Sequence, residues 1–174
     1  IQNNSLTRTA FNILGDYIIG PLIALGQFKP ELEIDFDASM KSLTQTGSNT
    51  FNATVAQQVV KDGVLASTEN CNKNLKQKDS KGIHYYSWTG VAQATNALDI
   101  DTILMQLGPL SYGSKDNDGM VSRCSAFMGK VIHDQYKLNH TDLANMMFGL
   151  KGVFAPDPVA LYRQHANRLK LEGL

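Results

Sequence analysis

Hydrophobic and polar positions along the chain fall into stretches of different period. Between residues 9 and 28, apolar side chains recur at Phe11, Leu14, Ile18, Leu22 and Leu25, with Ile13, Tyr17 and Ile19 widening the stripe. That period predicts a helix apolar over much of its circumference. Pro21 after Gly20 predicts a kink, and Gly15, Asp16 and Gly26 keep the run short of the roughly 20 clean apolar residues a membrane span needs. Short helices are predicted at 37–43 and 50–61, the second closed by Asp62-Gly63. GIHYYSW at 82–88, aromatic and flanked by glycine, predicts a strand that contains His84 as a strand residue and sets Trp88 in the core or near the site. Weak alternation at 129–136 predicts a second strand, followed by an amphipathic helix from near Asp142. Ile103, Leu104 and Leu107 suggest a short helix capped by Asp99 and closed by Gly108-Pro109. The tail reads as a helix: Asp157 caps it, Pro158 takes its first position, and Val159, Leu161, Tyr162, Ala166 and Leu169 form the expected buried stripe. His165 is then a surface or packing residue.

Composition changes this picture little. A chain of 174 residues, 43% hydrophobic, is one domain's worth with an ordinary core. Sixteen basic and sixteen acidic residues cancel, so no global field steers nucleic acid or an anionic surface. The most basic stretch, Arg163 to Lys170, is the polar face of the tail helix. The first residues lack the basic, apolar and cleavage regions of a secretory leader, as a processed or partial chain would. Cys71 and Cys124 are an even pair, and Cys71 sits in a polar loop where a free thiol would be oxidisable.

Candidate chemistry concentrates between Lys115 and Leu150. Asp118-Gly119 reads as a tight turn after a polar run, and His140 follows the second strand. A carboxylate on one post-strand loop and an imidazole on the next are the two supporting members of a nucleophile, histidine and acid relay, in which histidine carries the proton and the acid fixes its tautomer. Asp142 lies where a helix start favours a carboxylate. Ser122 and Ser125 lack a nucleophile's strand–turn–helix setting, and no Gly-x-Ser-x-Gly occurs in the sequence. A thiol reading makes Cys124 the nucleophile with His140 and Asp118, and it requires a free cysteine. The acidic run at Asp116 and Asp118 is not an EF-hand, since Met120 stands at the third acidic position.

NDGMVSRC at 117–124, NHTD at 139–142, GLKG at 149–152 and the tail VALYRQHANRLKLEGL resemble the C-terminal half of the secreted bacterial triacylglycerol lipases of the Pseudomonas and Burkholderia type, which are α/β-hydrolases. The likeness is densest from Gly82 to Leu174. It implies that residues 1–174 are the C-terminal part of a single α/β-hydrolase domain, mostly helical here with one or two strands. In that reading a lid helix lies at about 7–28, acid, histidine and calcium loops at about 96–150, and the C-terminal helix at about 157–170. It further implies that Asp118 is the triad acid and His140 the base, and that Cys71 and Cys124 are bridged. Structural calcium would be held by the carboxylates of Asp99 and Asp142 and the carbonyls of Met146 and Leu150, with Asp101 the rival to Asp99. The partners implied are an N-terminal half carrying the Gly-x-Ser-x-Gly serine, a dedicated foldase and the lipid–water interface, with secretion through the periplasm. The competing reading is a non-catalytic calcium-stabilised module that binds lipid-like ligands or a partner chain through its apolar N-terminal helix.

Overall fold

The computed structural model describes residues 38, 41, 45–54, 56–65, 71–96, 102, 105, 106, 116–146 and 149–174. The expected lid region at 7–28 lies outside them, as do Asp99, Asp101 and most of the helices expected at 37–43 and after Asp99. Two compact units divide the chain, residues 1–57 and 58–174. No described helix is long and apolar enough to cross a membrane.

In the first unit, α1 spans Gln45–Thr54. Its sequence is polar, and threonine hydroxyls bond back along it, Thr50 Oγ1 to Thr46 O at 2.9 Å and Thr54 Oγ1 to Thr50 O at 2.8 Å. The backbone then slips: Ala56 N donates to Phe51 O, five residues back. The single helix predicted at 50–61 is therefore two, with α2 at Gln57–Lys61. In the second unit the end of α2 follows the sequence. Gly63 takes a left-handed φ of 75°, its N–H bonds to Val60 O, and Val64 N bonds to Val59 O, which is the Schellman pattern. Val64 is then delivered fully buried into the core with Phe127, Leu138, Met105 and Ala155.

The strand predicted at 82–88 starts later, as β1, Tyr86–Gly90. Residues 77–85 are used instead in a small turn-back: Lys78 bridges His84, and Gly82 sits at the bend with φ 86°. The buried Asp79 carboxylate holds this bend by accepting from Lys81 N, Ile83 N and the Tyr85 hydroxyl. β2, Lys130–Tyr136, matches its prediction and pairs with β1 in parallel, Tyr86 opposite Lys130 and Gly90 opposite Tyr136, with irregular register between. Beyond the strand ends the ladder continues as Val91 N to Tyr136 O and Ala92 N to Leu138 O. A 3-10 turn at Arg123–Ala126 precedes β2, and a single-turn helix, α3, follows it at His140–Leu143.

The tail helix α4, Pro158–Leu171, begins as predicted, with Asp157 accepting from Val159 N and proline at the first position. Its covered face matches in part, at Leu161 and Leu169. Val159, Tyr162 and Ala166 are exposed, while Pro158 is buried and Ala160, Leu161, His165, Arg168 and Leu169 are half-buried. The reason is aromatic packing: the His165 ring stands edge-on to Tyr86 at 5.0 Å and to Trp88 at 5.2 Å, and Tyr162 meets Trp88 at 5.5 Å. At the helix end the Glu172 carboxylate accepts from the Tyr86 hydroxyl, from Gln77 Nε2 at 3.1 Å and from Lys130 Nζ at 3.1 Å. These donors, the Tyr86 hydroxyl foremost, hold its carboxyl at about 2. Burial and the Arg168 guanidinium beside it push the His165 imidazole below its ordinary value.

Leu138 has no exposed surface and follows directly on β2, so Leu138→Ala leaves a cavity expected to cost about 3 kcal/mol. Urea unfolding of the two proteins measures this, and a loss under 1 kcal/mol would mean the core packs elsewhere.

Candidate active site

The connection from β1 to β2 ends in a tight hairpin, and its tip carries Asp118. Asn117 bridges Ser122, Arg123 N donates to Asp116 O at 2.9 Å, and Asp118 N donates to Val121 O at 3.2 Å. Gly119 closes the tip at φ 99°, where a Cβ would lie 2.6 Å from Met105, so glycine is required on both counts. The Gly119 N–H is taken by Asn117 Oδ1 at 2.8 Å. The Asp118 carboxylate divides its two oxygens. Oδ1 accepts from the backbone N–H groups of Met120 at 3.0 Å and Val121 at 2.8 Å, which pins the plane of the group to its own turn. Oδ2 faces His140 Nδ1 at 2.9 Å.

His140 is positioned from the other side. The sequence suggests a loop residue, but the structure places it at the first position of α3, one residue after an N-cap. That N-cap is Asn139, fully buried, whose Oδ1 accepts from Asp142 N at 2.8 Å and from the Thr141 hydroxyl at 2.9 Å. In return Asp142 Oδ2 accepts from Asn139 N at 3.2 Å, completing a capping box. The His140 N–H goes to Asp118 O at 2.8 Å, so acid and imidazole are tied through main chain as well as side chain.

Asp118 is 3% exposed and the His140 side chain 41%, so a buried acid is covered by a ring whose other edge reaches open space. A carboxylate accepting at Nδ1 assigns the imidazole proton there and leaves Nε2 with its lone pair, the form a general base requires. The hydrogen bond to Asp118 raises the His140 pKa above its ordinary 6.5, against the opposing effect of burial.

The other candidates separate cleanly. Cys71 and Cys124 form a disulfide with Cα atoms 4.9 Å apart, which removes the thiol-nucleophile reading of Cys124. Closing 53 residues of separation stabilises the fold by about 4 kcal/mol in the chain-entropy account. The Ser122 and Ser125 hydroxyls pair with each other at 2.7 Å. Asp142 is 1% exposed, and its Oδ1 is buried without a hydrogen-bond partner. Met146 lies on the turn after α3 and Leu150 further along the chain, both with side chains exposed, while Asp99 and Asp101 lie outside the described residues. Among the described residues no three His, Cys, Asp or Glu side chains gather as a metal site. Asn139 was missed by sequence reading as a positioning residue; its place three residues before Asp142 in NHTD is the capping signal that could have found it.

No family model matches the chain. Curated proteins do. The chain is 44% identical over 137 residues to a triacylglycerol lipase of Vibrio cholerae, covering 79% of this chain and 41% of that protein. It is 44% identical over 89 residues to a triacylglycerol lipase of Burkholderia plantarii, covering 49% of this chain and 25% of that protein. With a triacylglycerol lipase of Pseudomonas fragi it shares 34% identity over 129 residues, 65% of this chain and 43% of that protein. The matches fall in the C-terminal part of these lipases, and the chain spans less than half their length. Nothing in them favours a non-catalytic module.

Because the folded His140 pKa lies above 6.5, the protonated pair contributes stability that is fully present below that pH and is lost as pH rises through the folded value. Asp118→Asn removes both raising causes and leaves burial, so the His140 midpoint should fall from above 6.5 to below it. NMR titration of the ring in calcium-free buffer reads this, and equal midpoints would mean the pair does not form in solution.

Proposed function

We propose that this chain is the C-terminal part of a secreted triacylglycerol lipase of α/β-hydrolase fold, in which Asp118 and His140 are the acid and base of a serine relay. The observation that carries the reading is the Asp118–His140 pair, 2.9 Å apart, with the carboxylate pinned on its far side by two backbone N–H groups. Similarity to the C-terminal part of the lipases supports it, and so does a parallel strand pair whose second strand leads into the helix start that carries His140.

In this reading the nucleophilic serine and the oxyanion hole lie on a segment outside these 174 residues, as the α/β-hydrolase order of serine, acid, histidine requires. The serine attacks the ester carbonyl while His140 Nε2 takes its proton. The imidazolium, held by Asp118, gives that proton to the leaving alcohol, and water then releases the acyl group by the same path. The disulfide fits an oxidising compartment and hence secretion through the periplasm, where a foldase would assist the chain. The working surface would be the lipid–water interface.

Calcium fits the residues present. Asp142 Oδ1 is a buried carboxylate oxygen with no donor, and a hard cation taking oxygen ligands is a natural partner for it. Asp142 and the carbonyls of Met146 and Leu150 would hold the ion, with Asp99 supplying the second carboxylate. Bound calcium would supply charge neutralisation and a tie between the α3 region and the chain around residue 99. The role of the protein side is already visible: Asp142 Oδ2 caps α3 and so sets the ring of His140.

In the full-length protein His140→Ala is expected to lower kcat on long-chain esters by about 10⁴-fold or more with the fold retained. Near-parent hydrolysis by that variant would refute the assignment. Calcium at about 100 times its Kd should raise parent stability by about 2.7 kcal/mol. Asp142→Asn, which keeps a capping acceptor, should lose most of that shift, and equal shifts in the two proteins would exclude Asp142 as a ligand.

A further inference from the structure

A line of charges joins the hairpin that carries Asp118 to the strand that leads to His140. The Arg123 guanidinium sits between two carboxylates, with Nη1 3.5 Å from Asp116 Oδ2 and Nε 3.7 Å from Asp134 Oδ2. Asp134 is a buried residue of β2, and its Oδ2 also pairs with Lys73 Nζ at 2.8 Å. Lys73 is two residues from Cys71, and Arg123 is next to Cys124, so the disulfide and the ion line share both ends and close a ring. We propose that Arg123 is a positioning residue for the Asp118–His140 pair, fixing the acid hairpin against β2 through Asp134; this rests on the reading of that pair as acid and base.

The two arms differ in weight. The Asp116 arm is exposed, and such pairs contribute about 0–1 kcal/mol. The Asp134 arm is shielded: the Arg123 side chain is 20% exposed and that of Asp134 13%. Burial pushes the Asp134 carboxyl up, but the Lys73 ammonium bonded to it and the nearby Arg123 charge outweigh that, leaving it below its ordinary value. A charged group is therefore kept on β2 facing the hairpin base. Arg123 also grips the hairpin through its main chain, since its own N–H donates to Asp116 O at 2.9 Å and closes the base. From that base to Asp118 is two residues, and from Asp134 to His140 six, so any slide of hairpin against strand appears directly in the acid–imidazole distance. Neutralising Arg123 removes the direct charge tie between hairpin base and β2 and leaves the main-chain bond from His140 N to Asp118 O, together with the indirect route through the disulfide and the Lys73–Asp134 pair.

The test uses the full-length protein. Arg123→Met keeps the aliphatic stem and removes the charge. It should lower kcat about tenfold with KM unchanged, since misplacement on the order of 1 Å at a reacting group is felt at that scale or above. It should also weaken the far-downfield imidazole Nδ1 proton resonance that reports the Asp118 hydrogen bond. Arg123→Lys should restore most of both. Asp134→Asn should reproduce the pattern from the other end, and decides the matter if Arg123→Met does not fold. Parent kcat with parent resonance in the folded variant overturns the proposal, as does a lower melting temperature with the resonance intact. His140→Ala separates the two levels. If activity survives there, the acid and base reading fails; if it is lost there but kept in Arg123→Met, only the positioning role fails.

Discussion

A single buried carboxylate sets the terms for the rest of the structure. Asp118 must be withdrawn from water to meet His140, and a buried carboxylate is tolerated only when its lone pairs are met. Two backbone N–H groups and one imidazole nitrogen do this. To aim both N–H groups inward, residues 118–121 must bend tightly. The bend requires glycine at 119, and Asn117 must turn its side chain back on the Gly119 N–H. The hairpin therefore exists to solvate one anion with protein donors. Its closure at Asp116 and Arg123, and the disulfide at the next residue, hold that solvation in place.

The histidine side has the same logic with a different device. A loop imidazole could turn in several directions, and a ring on the first position of a capped helix has fewer. The reciprocal bonds between Asn139 and Asp142 fix where α3 starts, and the bond from His140 N to Asp118 O fixes how that start faces the hairpin. Both devices depend on the parallel pairing of β1 and β2, because the ladder continues past the strand ends to Leu138, one residue before the cap. The tail helix braces the other face of β1 through Trp88 and Tyr86, and its end is tied by Glu172 to both strands.

The local structure around Asp118 and His140 was more legible in the sequence than the scaffold around it, for physical reasons. The Asp-Gly turn, the loop position of the acid, the second strand and the start of the tail helix are local, each encoded by the residues that adopt it. The first strand was placed too early, since Asp79, whose side chain organises the turn at 77–85, lies outside the aromatic run that drew attention. The polar α1 carries no amphipathic stripe to find, and its hydroxyl back-bonds cannot be read from spacing. The covered face of α4 is set by which rings Tyr86 and Trp88 present, a tertiary choice that period alone leaves open. The Asp118–His140 contact depends on 22 residues of separation being folded to 2.9 Å; the loop positions of the two residues suggested a pair, and the likeness to lipases gave it roles.

Seven of the buried residues among those described in the second unit are polar, and how each is met matters to the site. They are Asp79, Asp118, Asp134, Asn117, Asn139, Asp142 and Thr89, and an unmet buried polar group costs more than a met one contributes. The three side-chain atoms left without a hydrogen bond are therefore informative, and they are not equivalent. His84 Nδ1 is one ring nitrogen of a half-buried side chain. Arg123 Nε faces a carboxylate at 3.7 Å, so its charge is answered though its hydrogen is not. Asp142 Oδ1 is an anionic oxygen, and nothing described answers it. Its partner oxygen is committed to the cap that sets His140, so the group cannot turn away to water without loosening the imidazole. In the reading proposed above, a cation at that oxygen would leave the cap intact, and so would act on the histidine without touching it.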